Sequence, residues 1–87
     1  MIVFAVLAPE EDPRLATAIS SHFKDNFLKL GPGLWFVAGD GTSVDVSNIL
    51  GISTGDTGSV IVVSINSYYG RASTNTWEWL KVKMSKP

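Results

Sequence analysis

The chain has no cysteine and a single histidine, His22. Disulfide staples are thereby excluded, and a structural zinc site lacks its usual ligands, so a divalent metal would have to be held by carboxylates. No metal site and no cofactor are expected. Charge is scarce as well: Asp, Glu, Lys and Arg make up 17% of the residues, below the roughly 25% of ordinary soluble domains. A net charge of −1 supplies no global basic field to attract nucleic acid or an anionic membrane. Between Lys29 and Arg71 there is no Lys or Arg, only Asp40, Asp45 and Asp56. Long hydrophobic runs are missing too. Met1 to Ala8 is too short for a signal sequence with its basic flank and far too short to span a bilayer, so no membrane contact and a cytoplasmic location are expected.

What is present is apolar. Three Trp, two Tyr and four Phe stand in a chain of 87 residues, which reads as one domain over 1–87. Such a chain has more apolar surface than one small core readily hides, and a homodimer is the expected remedy. The basic end, Arg71, Lys81, Lys83 and Lys86 against Glu78, reads as a solvated surface.

Ile2-Val3-Phe4-Ala5-Val6-Leu7 is a continuous β-favouring run and reads as a central strand. Asp12-Pro13 then signals a helix start, because Asp accepts from free amides and Pro at the first helical position has no amide to lose. Leu15, Ile19 and Phe23 recur at four-residue spacing and form its apolar stripe. Its end has two readings. Phe27 and Leu30 would continue the stripe to Gly31-Pro32-Gly33, or Phe27 to Leu30 forms a strand paired with Leu34 to Ala38 across that turn. The hairpin is favoured, because Asp25-Asn26 is turn-like.

Thr42-Ser43-Val44-Asp45 has the spacing of a capping box, and Val46, Ile49 and Leu50 make the buried side of a short helix that Gly51 can end. Val60 to Ile65 is a second β-branched run, expected as a second central strand. A Thr or Asn at 74–76 opens a last helix, about 76–84, with Trp77, Leu80 and Met84 on one face and Trp79 and Val82 pointing away. The order predicts an α+β fold, a ferredoxin-like βαββαβ plait with a short C-terminal helix. Both crossover helices would cover one face of the sheet and leave the other open to a partner. Trp77, Trp79 and Val82 are the expected subunit contacts.

No catalytic constellation emerges. Glu10, Glu11 and Asp12 read as a cap with solvated acids, His22 as a surface or boundary residue without a partner nucleophile, and the Gly51 to Ser59 stretch as a tight loop. That loop follows a helix and opens a strand, the reverse of a phosphate loop. The candidate binding residues are Trp35, Asn66, Tyr68, Tyr69 and Arg71, aromatic and polar groups that could stack on a ligand or on bases. Core and interface packing is the favoured role of the aromatics, and a protein partner is favoured over nucleic acid.

The first strand, the hairpin ending in Leu34-Trp35-Phe36-Val37, the Thr42-Ser43 helix start, the Val60 to Ile65 strand and the closing Trp79-Leu80-Lys81 resemble the SinR-like small proteins. Those are relatives of the CRISPR-associated integration-adaptor and VapD-type nucleases. The resemblance covers most of residues 1–84 and implies a ferredoxin-like fold and a homodimer. It also implies nucleic-acid binding in some members and metal-dependent nuclease activity in others, with an acid closing the first strand. Here that place reads Leu7-Ala8-Pro9, without an Asp. A non-catalytic interaction or accessory module is therefore the favoured reading, with a nucleic-acid-binding or degenerate nuclease relative as the alternative.

Overall fold

The run Ile2–Leu7 forms strand β1, which pairs antiparallel along one edge with β3 (Leu34–Gly39) and along the other with β4 (Ile61–Ser64). Flanked on both sides, it buries Val3, Phe4, Ala5 and Val6. The computed structural model describes residues 1–84, and Lys86 of the basic end lies outside them. Strand β2 (Phe27–Gly31) pairs with β3, so the hairpin reading holds and the sheet runs β2-β3-β1-β4, antiparallel throughout. Among the described residues the fold is α+β, with a four-stranded sheet and three helices.

The turn joining β2 to β3 requires glycine at one place. Gly33 has φ 73°, and a Cβ there would lie 2.5 Å from the Ala8 carbonyl oxygen. The close approach has a purpose, because the Ala8 N–H donates to the Gly33 carbonyl at 2.8 Å and ties the end of β1 to this turn.

Helix α1 (Pro13–His22) begins as its sequence demands, with Asp12 as N-cap accepting from the Arg14 N–H at 2.9 Å and Pro at the first position. Helix α2 (Ser43–Ile49) carries both halves of the capping box: the Asp45 N–H donates to Thr42 Oγ1, and the Thr42 N–H donates to Asp45 Oδ2. Leu15, Ile19 and Phe23 from the first helical segment and Val46 and Leu50 from the second pack on Phe4, Val6, Trp35 and Val37 of the sheet. Ile49 departs from expectation. It is exposed, because a seven-residue helix has room for one narrow stripe, and Val46 and Leu50, four apart, occupy it.

Two further corrections concern the other side of the sheet. Helix α3 (Thr74–Met84) starts before residue 76, with Ser73 accepting the Thr76 N–H, and it lies across the face expected to be open. Leu80 is buried there against Val3 and Ala38, with Trp77, Trp79 and Met84 around it. The second correction is that β4 is an edge strand, not a central one, and that β3 shares the centre with β1. The reason is the hairpin, which carries β3 back beside β1 and leaves only its far side for β4. Among the described residues no helix is long and apolar enough to cross a membrane.

Candidate functional site

The sheet ends in two different edges. On the β2 side, Lys29 projects from the strand, the ladder is irregular between Lys29 and Gly31, and Pro32 follows. These are devices that keep an edge from pairing. The β4 side has none of them. Residues 59–67, Ser-Val-Ile-Val-Val-Ser-Ile-Asn-Ser, contain neither a charge nor a proline. The Ile65 N–H donates inward to the Val3 carbonyl, so the alternation of an antiparallel ladder turns the backbone groups of Val62 and Ser64 outward.

The side chains of this edge continue into an apolar strip. Leu7 stands opposite both Leu34 and Ile61, and Ala5 opposite Val63, all on the face that carries α3. The helix covers the end of that face bearing Val3, Ala38 and Ile65, and leaves the other end bare. Ile61 is 63% exposed and Val63 42%, with Leu7 and Leu34 exposed beside them. An open groove alongside, lined by Leu7, Pro9, Ile52, Val60 and Ile61 among others, extends the apolar surface around the start of β4.

The candidate binding residues separate into two places. Trp35 is 5% exposed within the core, tilted against Phe27 with ring centroids 5.7 Å apart and capped by the Lys29 ammonium 5.3 Å from its ring. Tyr68 and Tyr69 lie far along the chain in the segment after β4 and border a cleft together with Gly70, Trp77 and Lys81. Asn66 and Arg71 are exposed and do not line it. Of the expected subunit contacts, Trp79 does not point away from the sheet: its ring stacks on Phe36 at 6.1 Å and 18°. Trp77 stacks on Tyr68, and Val82 is exposed.

The acids after β1 are largely engaged with one another's neighbours. Asp12 receives the Arg14 guanidinium at 2.7 and 3.1 Å, and Glu11 pairs with Lys29. The side-chain hydrogen bond from Arg14, joined by that residue's backbone N–H, holds the Asp12 carboxyl below the usual aspartate range. Glu10, Glu11, Asp12, Arg14 and Thr57 border a hollow of about 270 Å³. Among the described residues no three His, Asp or Glu side chains group as metal ligands.

Sequence reasoning missed Ile61, Val63, Leu7 and Leu34 as surface residues. One signal pointed to them: the β4 run lacks the charge and proline that guard the β2 edge, although an interior strand looks the same. No family model, curated protein or solved structure matches this chain.

Proposed function

We propose that the chain is a non-catalytic interaction module of ferredoxin-like architecture that acts as a homodimer, two copies joining along β4. The observation that carries this reading is the unguarded β4 edge with its strip of exposed Leu7, Leu34, Ile61 and Val63. An identical strand laid antiparallel about a two-fold axis is its own complement. With Val62 opposite its copy, Ile61 faces Val63 of the second copy, and Val60 faces Ser64. The outward backbone groups then find partners, and the two apolar strips merge across the axis.

The order β2-β3-β1-β4, with α1 and α2 on the same face, supports the ferredoxin-like reading. In this arrangement Trp77 and Trp79 hold α3 in place within each copy, and β4 takes over the contact first assigned to them. The alternative, a nucleic-acid-binding or degenerate nuclease relative, draws less support. Leu7-Ala8-Pro9 closes β1 without an acid, and Asp12 and Glu11 are tied to Arg14 and Lys29.

Sedimentation equilibrium of the wild type and of Val63→Lys tests the proposal. The wild type is expected as a dimer and Val63→Lys as a folded monomer, since a lysine set against Ile61 of the second copy carries an unpaired charge into the apolar strip. A monomeric wild type, or an undiminished dimer in Val63→Lys, contradicts it.

A further inference from the structure

The segment after β4 and the body of α3 enclose a cleft of about 380 Å³ lined by Tyr68, Tyr69, Gly70, Trp77 and Lys81. That volume lies within the range of small-molecule sites. One wall is a stacked pair, Tyr68 on Trp77, with ring centroids 5.6 Å apart and planes 17° from parallel. Tyr69 stands beside it fully exposed, and Tyr68 is itself 42% exposed. Rings this open add little to the core, yet they offer flat apolar faces to a third ring.

Charge narrows the choice of ligand. Lys81 follows Trp77 by four residues, which puts it on the same side of α3. Among the described residues it belongs to neither of the two ion pairs above, and none of those that line the cleft is a carboxylate. A purely apolar ligand would strip water from the ammonium without replacing it, and a cation would be repelled by it. A ring carrying a negative group satisfies both the aromatic wall and the lysine.

We propose that this cleft binds a planar aromatic anion, its ring stacked on the Tyr68–Trp77 pair and its negative group at Lys81. Nucleotides and aromatic carboxylic acids share this chemistry. The cleft shares no lining residue with β4 or its apolar strip.

Amide and indole NMR spectra of the full chain, titrated with AMP, indole acetate and uncharged adenosine, test it. Saturable shifts confined to Tyr68, Tyr69, Gly70, Trp77 and Lys81 are expected with at least one of the two anions, and the tighter binder identifies the source. Adenosine is expected to bind roughly tenfold more weakly than AMP if the nucleotide is that source. Lys81→Glu should lose the anion, and Tyr69→Ala should weaken it; both positions are exposed, so both variants should fold. Absence of a saturable shift with either anion, or unchanged anion binding in Lys81→Glu, overturns the proposal.

Discussion

At Asp12 one carboxylate caps α1 and grips Arg14 at the same time. Its proton affinity is lowered by these bonds, so the ionised form is favoured in the folded chain. The stability this contributes is present above the ordinary aspartate pKa and is lost as pH falls through the lowered folded value, below about pH 4. The Arg14 amide, followed by NMR, is therefore expected to shift as the cap protonates, and α1 to lose exchange protection at its first turn. Asn accepts the same backbone bond without titrating, so Asp12→Asn should keep the helix start and lose that pH dependence. Gly33 is the other residue with a sharp requirement. A Cβ at Gly33 meets the Ala8 backbone, so Gly33→Ala should lower stability by more than about 1 kcal/mol in a denaturant titration. Both helix caps were legible in the sequence, because a cap is an affair of three or four neighbouring residues. The grip of Arg14 on Asp12 was not, since it depends on a side-chain conformation that spacing does not specify.

Elements divide along the same line. The stripe Leu15, Ile19 and Phe23 reports a period that the sheet simply accepts, and β1 declares itself by six apolar residues in succession. Helix α3 was harder. Trp77, Trp79, Leu80, Val82 and Met84 are apolar around most of its circumference, so periodicity could not show which side meets the sheet. The structure selects Leu80 as the anchor, with Trp79 on Phe36 and Trp77 on Tyr68 at its flanks. Leu80→Ala should cost about 2–5 kcal/mol by thermal unfolding, and the near-ultraviolet circular dichroism of the stacked tryptophans should diminish with it. A loss below about 1 kcal/mol would mean that α3 is held elsewhere. The Val60 to Ile65 run posed a different difficulty. Its composition suits a strand covered on both sides, and only the pairing of β3 with β1 moves it to the edge. Position within a sheet is a property of all the strands together, which no single stretch of sequence contains.

For the whole molecule, the low charge and the apolar surplus find an address. One face of the sheet is filled by α1 and α2, the other is half-filled by α3, and the uncovered remainder meets the unguarded edge at β4. A monomer carrying such an edge exposes a template for its own kind. Pairing two copies there would satisfy the outward backbone groups and bury the strip in one step. The absence of cysteine permits an unambiguous test. Residues directly opposite in a hydrogen-bonded antiparallel pair have Cα atoms about 5.5 Å apart, within disulfide reach. Oxidation of Val62→Cys, with Val44→Cys on the exposed side of α2 as the comparison, should give a covalent dimer only at position 62. Failure of Val62→Cys to cross-link, or equal cross-linking at Val44→Cys, would contradict a homodimer joined along β4.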